Sequence, residues 1–391
     1  MVPRYNQRDG LLALLRRRYD PAVVAPLFHL LRRPGRAAIL LGLALGLCLA
    51  VPGCRAEPPQ APIAAQIAGL ERTLAKLKPG AVSDDLRAAR QALSAGYLYA
   101  SLYDLEGPMA ELAAMQQLGA KRGEQDLDAF EKDWQAAGPG LRRRATGLTA
   151  AKLGALPAAV RALVEGAAAQ SDVYYRAARL YGEHAGAPSG RYYLGIAQGH
   201  LDFALFAAGL AFPPGERSAA RSPEAAIAAL DRRLVKSFDR PGATQRQGLF
   251  NDANSVLGFA GELTRQGKLD AGTQTYLDAA LRIGLAETPA VAPSDAGRLA
   301  RRSRELGERL AGRADRSVGL LYWQLAQPGL AALAKGQTAA YGAKQAAVIL
   351  DDVLPRYFAV SAGPAGPESG GAVAAAARQD VTVTLVRWPF T

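Results

Sequence analysis

The sequence predicts an all-α fold, an array of antiparallel helix pairs built as an irregular α-solenoid or a helical bundle, with a short strand only near the C-terminus. Three observations carry that reading. From Ile63 onward, apolar residues recur at spacings of three and four, the period of a one-sided helix. Proline, glycine and serine punctuate the chain at intervals of about one helix. Between residues 60 and 360, no run alternates apolar and polar residues as a half-buried strand does. Hydrophobic residues make up 49% of the 391, enough for a core and too many for a wholly disordered chain.

The helical domain is expected over 63–360. Ile63, Ile67, Leu70, Leu74 and Leu77 share one face of a first helix that Pro79-Gly80 ends. Ser83 caps the next, with Asp84 and Asp85 in its first turn where the helix dipole favours negative charge. Leu86, Leu93, Tyr97 and Leu98 carry that helix inward until Gly107-Pro108 interrupts it. Leu127, Phe130 and Trp134 mark a helix stopped by Gly138-Pro139-Gly140. Pro157 begins a longer helix through Tyr181, and Ser189 another through Leu210. Ser222-Pro223-Glu224 supplies an N-cap, a proline at the first helical position and an early acid. Gly267 is so short a joint that its two helices form an antiparallel hairpin. Ser294-Asp295 opens a helix with Leu299, Leu306 and Leu310 on one side, and helices around Trp323 and Val348 complete the set before Pro355.

The tail, 361–391, changes character. A Gly/Pro/Ser linker leads to VTVTLV at 381–386, where Val381, Val383 and Leu385 would line one face of a strand. Such a strand must pair with a partner, lie on the helical body or stay loose, because a lone strand leaves its backbone groups unpaired.

The N-terminal 1–53 reads as a signal region. Residues 37–51, AAILLGLALGLCLAV, form an uncharged run directly after Arg32, Arg33 and Arg36. It is short for a bilayer-spanning helix of about 20 residues and right for a signal-peptide core. The run ends in Val51-Pro52-Gly53-Cys54, which resembles the lipobox of bacterial lipoproteins, with proline at −2 as a departure. The resemblance implies lipidation of Cys54, a membrane partner through that lipid, and a periplasm-facing place in the cell envelope. Arg55, where aspartate would imply inner-membrane retention, points to the outer membrane. Release of a soluble protein at Glu57 and an uncleaved anchor are the other fates open to this segment. Because 36 residues precede the apolar run, translation is expected to start downstream, for example at Leu30 or Leu31. Residues 54–62, with EPPQAP, form the tether.

Composition narrows the function. Eight basic and two acidic residues precede Cys54, so half of the net +12 sits in the signal region and no nucleic-acid partner is expected. Two cysteines and three histidines leave no disulfide scaffold, metal centre or cofactor to be expected. No phosphate loop, dinucleotide fingerprint or zinc helix occurs. Ala92-Leu93-Ser94-Ala95-Gly96 has the outline of a nucleophile elbow but no strand before it. Tyr97-x4-Leu102-Tyr103 and Tyr175-x4-Leu180-Tyr181 match in spacing and loosely resemble tetratricopeptide helix pairs, without a steady period. Arg142-Arg143-Arg144 and the Arg298–Arg313 face read as solvated surface.

The densest chemistry runs from Tyr174 to His200. If two helices form a hairpin there, Tyr174, Tyr175, Tyr181, His184, Tyr192, Tyr193 and His200 can converge on a polar ligand; aromatic helix packing is the plainer outcome. The expected function is therefore a lipid-anchored helical scaffold or binding module with a protein partner in the envelope, more binding protein than enzyme. The alternative is a periplasmic ligand-binding protein or enzyme that uses the Tyr174–His200 region.

Overall fold

In the computed structural model, which describes residues 59–77, 84–120, 125–213, 222–238, 247–313, 316–337 and 341–361, the first helix begins within the proline run. Helix α1 (Gln60–Leu77) starts three residues ahead of Ile63, because a proline in a first turn gives up an N–H that has no helical acceptor there. Ile63, Ile67, Leu70 and Leu74 are buried, whereas Leu77 is exposed. Cys54 and the 381–386 segment lie outside the described residues.

Helices α2 (Asp84–Ser94) and α3 (Leu98–Ala120) divide what the sequence reads as one element. Gly96, at φ +80°, makes the turn between them in a conformation that only glycine adopts without strain. Gly107-Pro108 does not interrupt α3, and Gly138-Pro139-Gly140 does not stop α4 (Leu127–Ala145). A helix can keep an internal proline when tertiary packing supports both sides of the lost hydrogen bond, and Pro108 is buried. Gly138 has a different use. A Cβ there would lie 2.3 Å from the Tyr175 hydroxyl oxygen, so the glycine makes room for that ring.

After the short α5 (Ala150–Gly154), α6 (Ala158–Ala185) and α7 (Ala187–Ala208) form the expected hairpin, turned at Gly186 with φ +90°. Helix α7 lies so close to α3 that a Cβ on Gly195 or Gly199 would sit 2.5 Å from the Cα of Ala114 or Ala110. Helices α8 (Glu224–Phe238), α9 (Gln247–Arg265), α10 (Leu269–Glu287), α11 (Asp295–Ala311) and α12 (Ser317–Ala334) follow, with Gly267 turning α9 into α10. Tyr97–Tyr103 falls at the start of α3 and Tyr175–Tyr181 late in α6, so the matched spacing marks no structural repeat.

The chain does not end its helices before Pro355 either. Helix α13 (Tyr341–Val348) widens into a π-turn over Ile349–Val353 and continues as α14 (Leu354–Val360). Pro355 has no N–H for the carbonyl four residues back and crowds it. The ladder relaxes to a wider spacing, with Leu354 N–H donating to Ile349 C=O.

The described residues are helical almost throughout and contain no strand. Two apolar clusters form the core, one among α1, α2, α3, α6 and α7, the other mainly from α8 to α14 with Ala92, Ala100, Ala158 and Ala159 of the earlier helices; Tyr99 and Tyr103 of α3 touch both. Helix α12 packs on α3 and α6, and α10 on α6, although long stretches of chain separate them. A solenoid repeat meets only its neighbours, so these contacts put the array on the bundle side of the two expected architectures.

Candidate functional site

The α6–α7 hairpin brings together part of the predicted aromatic group. Tyr181 stacks on Tyr193 at 4.1 Å between centroids, Tyr193 on Tyr174 at 6.1 Å, and Tyr174 on His200 at 5.2 Å. Tyr192 meets Tyr193 edge-on at 5.5 Å. These rings form a ladder along the hairpin rather than a ring around a void. Burial raises the Tyr174 and Tyr193 hydroxyls, with neighbouring Glu106 adding to the first and Tyr181 to the second. Tyr175 faces the other way. It stacks on Trp134 at 4.8 Å, Trp134 Nε1–H donates to its carbonyl at 2.8 Å, and its hydroxyl donates to the Trp134 carbonyl at 3.2 Å. That reciprocal pair ties α4 to α6. His184 is exposed and joins neither group.

The ladder ends at a cavity. His200 Nδ1 lies 2.9 Å from Glu106 Oε1, and both residues line a cleft of about 640 Å³ among α2, α3, α6, α7, α9, α10, α12 and α13. That volume is in the ordinary range for small-molecule sites. Its lining is acidic. Asp84, Asp85, Asp104, Glu106 and Asp278 contribute carboxyls, and Arg282 is the one lysine or arginine among the described lining residues. Arg282 is already ion-paired with Asp252.

Two of the carboxyls sit in opposite situations. Asp278, on the all-round buried α10, accepts from the Tyr103 hydroxyl at 3.0 Å and from the Gln274 side-chain amide. The Tyr322 hydroxyl proton is shared between Asp278 Oδ1 and the Gln274 carbonyl oxygen, each at 2.7 Å. Burial still pushes Asp278 up to about 6, although these donors pull the other way. Asp104 has no hydrogen bond or ion pair within the described residues. It lies deep in the molecule yet open to the cavity, and burial together with the charge of Asp85 pushes it up to about 8.

The Asp104 shift has a measurable sign. Its folded value lies above its ordinary 3.8, so the stability it lends the fold is complete below that value and drains away as pH rises toward 8. Asp104→Asn is therefore expected to melt higher than wild type by an amount that grows between pH 4 and pH 8, then levels off. A gap of at least about 3 °C is expected on the plateau, since about 1 kcal/mol corresponds to ~2–4 °C in a domain of this size. Melting curves of both proteins across that range check it; a gap independent of pH contradicts the assignment.

Of the predicted ligand-site residues, only His200 lines the cavity. The cavity side chains come from helices far apart in the chain, and each acid resembles an ordinary solvent-facing residue of an amphipathic helix. One signal was present. Asp270, Thr273, Gln274, Thr275 and Asp278 punctuate a helix whose other faces are apolar, so some of them had to be buried. Ser94, in the elbow-like motif, ends α2 and donates to the Arg90 carbonyl at 2.9 Å, a helical back-bond with no strand before it. Arg144 pairs with Asp202, and Arg298 with Asp295 and Asp351, as solvated faces do.

Among the described residues, no group of three or more His, Cys, Asp or Glu side chains is placed to hold a metal ion. No helix among them is long and apolar enough to cross a membrane. No protein-family model, curated protein or solved structure matches the chain.

Proposed function

We propose that the chain is a lipid-anchored binding protein of the cell envelope that takes a small polar ligand into its acidic cavity. The single observation that carries the ligand reading is the cavity itself: about 640 Å³ of space with a mixed polar and apolar wall, onto which Asp104 brings a carboxyl that has no partner among the described residues. A buried carboxyl without a partner costs the fold free energy, and such a group is retained most readily where something else satisfies it. The reading favours the ligand-binding alternative over a pure scaffold. A scaffold's working surface is broad and concave, whereas here five carboxyl-bearing side chains from α2, α3 and α10 gather on the wall of one cleft.

The anchoring half of the proposal rests on Val51-Pro52-Gly53-Cys54 and the apolar run before it. Outer-membrane attachment, facing the periplasm, is the placement that Arg55 favours. Cys54→Ala is expected to abolish lipid attachment and leave an uncleaved precursor, read by mass spectrometry of the N-terminal peptide. A mature wild-type protein with an unmodified Cys54 thiol would refute it. The binding half is tested with the dialysable small-molecule fraction of a cell extract. That fraction is expected to raise the melting temperature of the purified protein by several degrees, as a ligand well above its Kd does, by about 2.7 kcal/mol at a hundredfold excess. An unchanged melting temperature across all fractions counts against small-ligand binding.

A further inference from the structure

We infer that the ligand of this cavity is an organic cation bearing a primary ammonium group, a conclusion that rests on the small-ligand reading above. It follows from an accounting of donors and acceptors around the cleft. Three of the charged groups are already served. Asp278 is held by Tyr103, Tyr322 and Gln274, Glu106 by His200, and Arg282 by Asp252. The charged groups left facing the space are carboxyls. Asp85 of α2 and Asp104 of α3 have no hydrogen bond or ion pair among the described residues, and each sits in the field of another acid: Asp104 feels Asp85, and Asp85 feels Asp84.

The backbone lacks two donors near the same wall. Pro108 lies in the middle of α3 and Pro328 in the middle of α12. Neither has an N–H to give to the carbonyl four residues earlier. Those carbonyls belong to Asp104 and Gln324, both of which line the cavity. Two helices from opposite ends of the chain thus each withhold a backbone donor at a residue on this wall. The Gln324 side chain is committed elsewhere: its Oε1 accepts from Tyr99 N–H at 3.0 Å and Ala100 N–H at 3.2 Å, capping α3. An acceptor-rich, anionic surface calls for a ligand with several N–H donors and a positive charge.

The same residues argue against a bare metal ion. The carboxyls are distributed around a roomy cleft, with no set among the described residues placed for coordination. Metal ligands must converge within about 2–2.6 Å of one point. An extended amine needs no such convergence, because it spreads its donors over distance. Tyr103 and Tyr341 also line the cleft and offer aromatic surface to a cation.

The test is isothermal titration of the full-length protein in detergent at pH 8.5 with cadaverine and spermidine. Glutarate, 1,5-pentanediol and magnesium chloride are titrated in parallel. Cadaverine or spermidine is expected to bind and the other three are not. Asp104→Asn, checked for a cooperative melt, should weaken that binding at least tenfold, while Glu183→Gln, on the exposed end of α6, leaves it unchanged. Binding of glutarate or pentanediol in place of the amines overturns the cationic assignment and leaves the small-ligand reading standing. Binding of magnesium alone overturns it in favour of a metal. Amine binding that Asp104→Asn does not weaken places the amine elsewhere and overturns the site. No heat from any of the five overturns the inference, and the extract experiment then decides separately whether the cavity takes another ligand.

Discussion

Gly199→Leu is expected to remove the folded state under conditions where wild type is stable. A Cβ on Gly199 would lie 2.5 Å from Ala110 Cα and 2.7 Å from the Met109 carbonyl oxygen, and both are backbone atoms of α3. A flexible side chain can swing aside, but a helix backbone can move only if the whole α3–α7 contact opens. Overpacking a core ordinarily costs about 1–3 kcal/mol. A collision with backbone at so close a helix crossing should exceed that, to about 5 kcal/mol, a large share of the 5–15 kcal/mol of a typical domain. Gly258→Ala on α9 is the matched control, since a Cβ there meets nothing within 4 Å and alanine suits a helix better by about 0.5–1 kcal/mol. Urea unfolding followed by circular dichroism reads both. Equal midpoints for Gly199→Leu and wild type would contradict the described crossing.

Phe130→Ala carries the second large effect. The Phe130 ring is 2% exposed and fills a notch whose walls are Gly182 of α6 and Gly190 of α7. A Cβ on either glycine would lie 2.2 or 2.4 Å from ring carbons, so these positions are hollowed to the shape of the ring. Removing it leaves a void that rigid helices cannot fill, at about 3–5 kcal/mol. Helix α4 meets the body mainly through α6 and α7, so the loss should also loosen α4 itself. Hydrogen exchange is expected to quicken over residues 127–145 more than over α10. Uniform quickening along the chain would show that Phe130 supports the core in general and does not specifically dock α4.

The helices were largely readable from the chain, because their apolar stripes need only local periodicity. Ile63, Ile67, Leu70 and Leu74, and likewise Leu299, Leu306 and Leu310, are buried as their spacing requires. The breaks were misread at Gly107-Pro108, Gly138-Pro139-Gly140 and Pro355. In each case local propensity favours a stop and tertiary packing overrides it. The glycines around Pro139 show why: Gly138 is small for the sake of Tyr175, a residue of another helix, and no local rule can see that. The aromatic group was half readable. Tyr174, Tyr181, Tyr192, Tyr193 and His200 do meet across the hairpin, but as a stacked ladder, while Tyr175 turns to Trp134 and His184 to solvent. The cavity was not readable, since Asp85, Asp104 and Asp278 come from three helices whose meeting is a tertiary fact.

The central claim is that the cleft lined by Asp85, Asp104 and Asp278 holds a small ligand, and native mass spectrometry tests it most directly. Gly166 of α6 lines the cleft, and a Cβ there would have Gln274 Oε1 at 3.9 Å as its nearest neighbour, so Gly166→Leu grows into the open space without striking the backbone. Wild-type protein released gently from its own membranes is expected to carry a small-molecule adduct that Gly166→Leu lacks while keeping the wild-type melting behaviour. An adduct of the same mass on both proteins, or on neither, contradicts the claim.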